Sequence, residues 1–435
     1  MLRPGQIIFL CALSLLVIGV VMVTSAGMKV DPVEVVPVGP PPTPDDVAHS
    51  VGSVLSRVLL GSSALYMVLA VLAMSATSVF PIKRLAIFGD GAAESDRGRR
   101  QALAVIMLGV VALVAVLALP YVPGLGRTMN GSQRWISFPV PGFRKLSFQP
   151  SELAKWGLVV LTAAYCASRS DLLSRFWTGL LPGLLGVGVV AGAVAHEDLG
   201  TGVLMVAAAG VVLLAAGARL WQFLIFIPPA AAGLIGLIIT SPYRVERLRT
   251  FVDPYLDPQG AGYHMIQSMA AVAGGEGFGR GLGFGLQKFD YLPEDTTDFL
   301  FAIICEELGI AGAAVVLSLY VALLWAGLAI VRRESSVMLK LLGIGVLATV
   351  GFQAVINLAV VTGLGPTKGI ALPLVSSGGT GWILTAASLG LIIAMDRAHA
   401  RRADAAEPTG APEPVPQAEP ALVIRTTPAA QLSPA

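Results

Sequence analysis

Long apolar runs, broken by short polar stretches, set the pattern of this chain. Ten windows come near the roughly 20 apolar residues that carry a helix across bilayer hydrocarbon. They lie at about 7 to 26, 58 to 80, 101 to 122, 151 to 167, 176 to 195, 201 to 218, 220 to 241, 302 to 331, 338 to 362 and 371 to 396, and each predicts a membrane-spanning helix. No clear small-residue cleavage site follows the first window, so it reads as a retained helix and not a leader. Between the windows, short connections holding Arg3, Lys83, Arg84, Arg97, Arg99, Arg100, Arg169, Arg175, Arg219, Arg332, Arg333, Lys340, Arg397, Arg401 and Arg402 fall on one side if the spans alternate. That side is assigned to the cytoplasm, with both termini. The polar connections 27 to 57, 123 to 150, 196 to 200, 242 to 301 and 363 to 370 then face outward.

The expected fold is an all-α integral membrane protein of about ten transmembrane helices, with a large extracytoplasmic loop between helices 7 and 8. Residues 1–402 form one polytopic domain with external loops 28–50 and 242–301, and residues 403–435 form a disordered Ala/Pro-rich cytoplasmic tail. Loop 28–50 is Pro-rich, and both it and the tail hold little that packs. No internal repeat supports a transporter built from inverted halves.

Composition narrows the classes. Of 435 residues 55% are hydrophobic and 13% charged, with a mean hydropathy of +0.77; soluble proteins are charged at about a quarter of positions. A net charge of +2 gives no case for nucleic acid. Cys11, Cys166 and Cys305 sit in apolar segments, as packing residues do, and no Cys/His spacing suggests a metal site.

The candidate chemistry is in the outward stretches. In "FQPSELAKW" Pro150 opens a helix with Gln149 or a neighbour capping, and Glu152 and Lys155 share a face at i, i+3. They form either a self-neutralising pair at a helix mouth or the wall of a substrate cavity, with Arg134 and Lys145 upstream. In "HEDLGTG" Asp198 either caps the next helix or holds a cation or basic partner in the same cavity, while His196 reads as a surface residue. Arg244, Arg247 and Arg249 suit phosphate oxygens, or else form a solvated or headgroup-facing cluster. The run "GGEGFGRGLGFG" follows no strand of a βαβ unit, so it reads as flexible backbone lining a groove and not as a nucleotide loop. Thr296, Thr297 or Asp298 caps the next span, or Asp298 is a carboxylate whose partial desolvation suits a general base. Glu306 and Glu307, inside the apolar run, are expected to position that helix or its neighbours.

Five motifs, "NGSQRWI", "FQPSELAK", "DPYLDPQGAGY", "LPEDTTDFLFAIICEELG" and "LPLVSSGGTG", occur in this order. Together they resemble the SEDS family of bacterial cell-wall synthesis, the FtsW, RodA and SpoVE group, across nearly all of residues 7–397. "QKFDYLPE" and "GPTKGIALPL" are similar to the FtsW and SpoVE branch. The resemblance implies an inner-membrane peptidoglycan glycosyltransferase that polymerises lipid II, works with a class B penicillin-binding protein and other division proteins, and uses no organic cofactor. By the same resemblance Asp298 is the catalytic carboxylate. Lys155, Asp198, Arg134, Glu152, Arg244, Arg247, Arg249, Gln267 and Ser376 fall to the substrate, and Asp198 and Asp298 are the candidates for a divalent Mg or Mn. The chain departs from the family at Ser376-Ser377-Gly378-Gly379-Thr380, where a tyrosine is missing, and at His196-Glu197 before Asp198. A flippase of lipid-linked precursors and a non-catalytic division scaffold are the competing classes.

Overall fold

The computed structural model describes residues 2–27, 61–91, 95–129, 132–138, 146–287, 292, 296–367, 369–377 and 379–406. The Pro-rich stretch 28–50, Lys145, most of "QKFDYLPE" and the tail beyond residue 406 lie outside the described residues. By compactness the chain divides into residues 1–397 and residues 398–435. In the second unit residues 398–406 are helical.

A helix stands at each of the ten predicted windows. They are α1 (Pro4–Ala26), α2 (Ser62–Ser78), a short connecting α3 (Lys83–Gly89), α4 (Asp96–Ala118), α5 (Pro150–Ser168), α6 (Leu181–Glu197, entered through a π turn at Phe176–Leu180) and α7 (Leu199–Ala215). The chain continues through α8 (Leu220–Leu224), α9 (Ile227–Ile239), α10 (Pro242–Val252), α11 (Tyr263–Gly274), α12 (Leu300–Arg333), α13 (Val337–Val361) and α14 (Thr380–Ala406). Among the described residues six helices are long and apolar enough to cross a bilayer, while α2, α7 and the α8–α9 pair are apolar but shorter. Pro228 and Pro229, in the first turn of α9, part it from α8 because proline cannot donate into the preceding turn. Helix α4 is strongly apolar yet only 11% of its window is buried by protein, and Met107, Leu108 and Val111 lie on its exposed face. Such a face needs hydrocarbon around it, so this is an integral membrane protein.

Packing runs through small residues and interdigitated aliphatics. Ala154 and Leu158 of α5, Val187, Val190, Ala191 and Val194 of α6, and Met205 and Ala209 of α7 form one buried cluster. Helix α13 packs on both α5 and α7, and α1 lies along α12. At one end of the bundle Gly5 N donates to Asp396 Oδ2 (3.1 Å), Met338 N to Asp90 Oδ1 (3.0 Å), and Arg99 pairs with Asp171 (3.0 Å). These are the connections in which the positive charges were counted. The contacts of the polar stretches gather at the other end.

Three features there go beyond the apolar windows. The polar connection 123–150 carries strands: β1 (Gly126–Met129), β2 (Ser132–Phe138) and β3 (Leu146–Phe148) form an antiparallel sheet with β2 in the middle. Ile136, buried to 4%, faces inward from β2 and pairs with Gly126 on one side and Phe148 on the other. The tenth helix starts at Thr380 and not near 371. Pro373 and the left-handed backbone of Leu374 (φ 62) and Gly379 (φ 49) keep the preceding residues out of a helix. The long loop 242–301 carries two helices of its own, α10 and α11, with a 3-10 turn at Pro254–Leu256 between them.

The glycine-rich run is pinned, against the expectation of flexible backbone. Helix α12 breaks at Gly309 (φ 65, ψ −161), a conformation essentially closed to residues with a Cβ. The break frees backbone groups, and the run satisfies them. Arg280 N and Gly281 N donate to the carbonyls of Glu306 and Glu307 (2.9 and 3.0 Å), while Ile310 N and Ala311 N donate to those of Glu276 and Gly277 (3.2 and 3.4 Å). The two glutamate side chains, 1% and 0% exposed, complete the fastening. Glu306 accepts from Leu286 N (2.8 Å) and Gln287 N (3.2 Å), with the Arg280 guanidinium 3.6 Å away. Glu307 accepts from Gly283 N (3.0 Å) and from Ser25 Oγ at the end of α1 (2.8 Å). Buried carboxylates so held keep their hydrogen-bond capacity filled. The two acids therefore position the helix and its neighbours, as expected.

Candidate functional site

Two groups of polar side chains stand at this second end of the bundle, and α10 touches both. The first is buried. Gln149 is the N-cap residue of α5, without a side-chain cap, and Pro150 follows at its first position. Its first turn then presents Glu152 and Lys155 toward α13. Lys155 is 2% exposed. Its Nζ donates to Glu152 Oε1 (2.9 Å) and lies 2.8 Å from Oε2, an ion-pair contact too poorly aligned to count as a second hydrogen bond. The same Nζ donates to Gln353 Oε1 on α13 (2.9 Å). Both readings of the pair survive this geometry, since it is self-neutralising and also faces the other site residues.

From Gln353 the connections run onward. Gln353 Nε2 donates to Ala371 O (2.8 Å), and Asn357, one turn further on, donates through Nδ2 to Ile370 O (2.7 Å) and to the backbone carbonyl of Asp298 (2.8 Å). Residues 369–377 are thus a non-helical ribbon held by two amides of α13. The far end of the ribbon is tied to the same strand of chain, Ser377 N donating to Thr296 O (3.0 Å). Ser376 Oγ accepts from Leu372 N (3.0 Å), and Trp382 Nε1 donates to Ser376 O (2.6 Å), so Ser376 serves the ribbon's own turn. Gly369 allows the closest approach. A Cβ there would stand 2.6 Å from Asp298 Oδ2, so the carboxylate of Asp298 rests on a bare backbone. The N-cap position of α12 falls to Phe299 and not to Thr296, Thr297 or Asp298.

The second group lies at the turn between α6 and α7. Asp198 caps α7, accepting from Thr201 N (3.1 Å) and Thr201 Oγ1 (2.8 Å), and its Oδ2 lies 3.5 Å from Arg134 Nη1 of β2. Capping and a basic partner are both present, the partner being Arg134. Helix α10 bridges the groups at i, i+3: Arg244 Nη2 donates to His196 O (3.5 Å), and Arg247 Nη1 donates to Thr367 O (2.8 Å), two residues before Gly369. Arg249 is exposed on the same helix, and Gln267 is half-buried on α11. Among the described residues no hydrogen bond joins these two to the rest. His196 is exposed, with Nδ1 3.4 Å from Glu197 Oε1. The three cysteines are free and buried.

Among the described residues no three His, Cys, Asp or Glu side chains are grouped to hold a metal ion. An apolar groove of about 360 Å³ opens between α4, α5 and α6, lined among others by Met107, Val110, Leu158, Leu161, Tyr165 and Pro182. It begins one turn beyond Lys155 on α5.

The model of the FtsW, RodA and SpoVE family, described as a cell cycle protein, matches residues 53–401. The chain belongs to the FtsW/RodA/SpoVE family. Within it, the relatives are of the FtsW and SpoVE type. A probable peptidoglycan glycosyltransferase FtsW of Geobacter sp. (strain M18) is 40% identical over 279 residues, 64% of this chain and 75% of the relative. Stage V sporulation protein E of Bacillus subtilis (strain 168) is 37% identical over 286 residues, 65% of this chain and 76% of the relative. A probable FtsW of Idiomarina loihiensis is 33% identical over 401 residues, covering 91% of this chain and 87% of the relative. Among solved structures, a chain described under "Structural coordination of polymerization and crosslinking by a peptidoglycan synthase complex" aligns with a TM-score of 0.63 at 26% identity, over 89% of this chain and 97% of that one. The rod shape determining protein RodA of Thermus thermophilus shares the fold, with a TM-score of 0.53 at 23% identity over 90% and 95% of the two chains.

Sequence reading of this family member missed Gln353 and Asn357. They are the only amides in the 25-residue α13, and a polar side chain inside an apolar span signals a partner. The signal says nothing about which partner.

Proposed function

We propose that the chain is a peptidoglycan glycosyltransferase that polymerises lipid II into glycan strands at division, on the outer face of the bacterial inner membrane. One observation carries the reading: in a member of this family, α13 holds a buried lysine and the carbonyl of Asp298 within one turn of each other, beside a ribbon on whose glycine the Asp298 carboxylate rests. Names given to the relatives, probable peptidoglycan glycosyltransferase above all, support the activity.

Glycan extension removes a proton from an acceptor hydroxyl while a pyrophosphate departs from the donor sugar. Asp298 takes the proton as general base. Arg247 and Arg244, aligned on α10, and Arg134 and Lys155 offset the charge that develops on the pyrophosphate, guanidinium donors matching its oxygens. Asp198 orients Arg134, and Glu152 holds Lys155 in place. The apolar groove between α4, α5 and α6 takes hydrocarbon of the lipid anchor. A divalent cation at Asp298 or on the pyrophosphate would share the same charge, whereas at Asp198 it would compete with Arg134 and Thr201. The crosslinking partner is a single-pass class B penicillin-binding protein; the neighbouring peptidoglycan synthase complex, which joins polymerisation to crosslinking, supports this.

The test is glycan polymerisation from lipid II by purified protein, alone and with its transpeptidase. Asp298→Ala, folded by its melting curve, should lose at least about 100-fold in rate, and chelation should lower the rate if an ion takes part. Rapid movement of lipid II across liposomes with no polymer under any partner or ion condition would instead favour the flippase.

A further inference from the structure

We infer that Gln353 and Asn357 are positioning residues that fix where Lys155 and Asp298 stand relative to each other. The inference rests on the glycosyl-transfer reading for what the two charged residues do, and on geometry for what holds them. The two amides sit four apart on one face of α13, 7% and 1% exposed. Gln353 spends its oxygen on Lys155 Nζ (2.9 Å) and its nitrogen on the ribbon at Ala371 O (2.8 Å). Asn357 spends both amide hydrogens on carbonyls of two different segments, Ile370 O (2.7 Å) and Asp298 O (2.8 Å). These acceptors also fix which way each amide points, since a flipped Asn357 would set its oxygen against two carbonyl oxygens.

Asn357 Oδ1 is buried without a hydrogen-bond partner. An amide retained only for its own packing would have both ends paired. This one is aimed by its donors and leaves its acceptor unpaired in order to join the Asp298 strand to the ribbon. A shift of about 1 Å in a reacting group costs on the order of 100-fold in rate, so a clamp on the Asp298 backbone acts on turnover without touching substrate.

The experiment uses the full chain with its transpeptidase and measures initial polymerisation over a range of lipid II concentrations. Asn357→Ala and Asn357→Asp should lower kcat by about 10- to 100-fold with KM little changed. Gln353→Glu keeps the acceptor for Lys155 and should retain more activity than Gln353→Met, a graded rescue that a purely structural role would not give. Folded variants with wild-type kcat, or with KM raised alone, would overturn the inference. Inactivity of the wild type would count against the function proposed above and leave the positioning claim to a separate readout. In that readout, Asp298→Cys is labelled with a water-soluble maleimide with and without Asn357→Ala, and Arg249→Cys is the exposed control. The labelling rate at 298 should change and that at 249 should not; an unchanged rate at 298 overturns the claim.

Discussion

At the scale of single residues, the Glu152–Lys155 pair shows how much depends on which partner is removed. Lys155 is 2% exposed and the Glu152 side chain 14% exposed. Glu152→Ala leaves a buried ammonium with only Gln353 and the Trp156 ring, a change that costs about 3 kcal/mol. Lys155→Met fills the same space without charge and leaves a carboxylate that is 14% exposed but has its Oε2 buried, so its cost is the smaller of the two. Melting curves in detergent should therefore rank Glu152→Ala below Lys155→Met, although both remove polymerisation. Equal melting temperatures would contradict this difference between the two partners. The i, i+3 spacing made this pair legible in the sequence. Asp198 was half legible, because a cap and an ion pair use the same carboxylate and spacing cannot say that both occur. Gln353 and Asn357 were not legible as site residues, since their amide hydrogens go to backbone carbonyls, which carry no signature in the sequence, and Lys155, the other partner of Gln353, lies on a helix distant in sequence.

Elements were easier to read than the connections between them. Apolar length alone located every long helix, because in a bilayer a spanning segment must satisfy its backbone internally. The sheet of β1 to β3 escaped because its strands are 4, 7 and 3 residues long, too short for period-two alternation to stand out against charged neighbours. The glycine-rich run was misread for a different reason. Its order comes from Glu306 and Glu307, some 20 residues further along the chain, and from a helix break at Gly309 that composition cannot announce. Gly309→Ala tests this arrangement. A Cβ at 309 would lie 2.3 Å from Gly279 N and 2.7 Å from Gly277 O, and the backbone there is closed to alanine, so the change should cost roughly 2 kcal/mol. The loss should be local. Amide hydrogen exchange at residues 276–287 should quicken by more than tenfold, in line with that cost, while α5 to α7 keep their protection. Uniform acceleration across the bundle would contradict the local fastening.

At the scale of the whole molecule, α1 is the element whose place the family match leaves open, since the match begins at residue 53. The structure makes it a structural partner of the site. Helix α1 packs along α12, its Ser25 donates to the buried Glu307, and its Gly19 lies where a Cβ would come within 2.5 Å of Val375 O on the ribbon. It therefore supports both the glycine-rich fastening and the ribbon that carries Gly369. With 23 residues and high hydropathy α1 can insert as an independent span, and spans associate afterwards through close packing and a few hydrogen bonds. A chain broken between residues 40 and 41 should consequently reassemble: fragments 1–40 and 41–435, expressed together, should co-purify and polymerise lipid II. Fragment 41–435 alone should melt earlier and lose activity, because Glu307 loses its hydroxyl donor and the ribbon loses one wall. Adding Ser25→Ala to fragment 1–40 should weaken reassembly by about 1 kcal/mol, the worth of one such hydrogen bond. If fragment 41–435 alone matched the pair in stability and rate, α1 would be an anchor only, and the site would have to be completed without it.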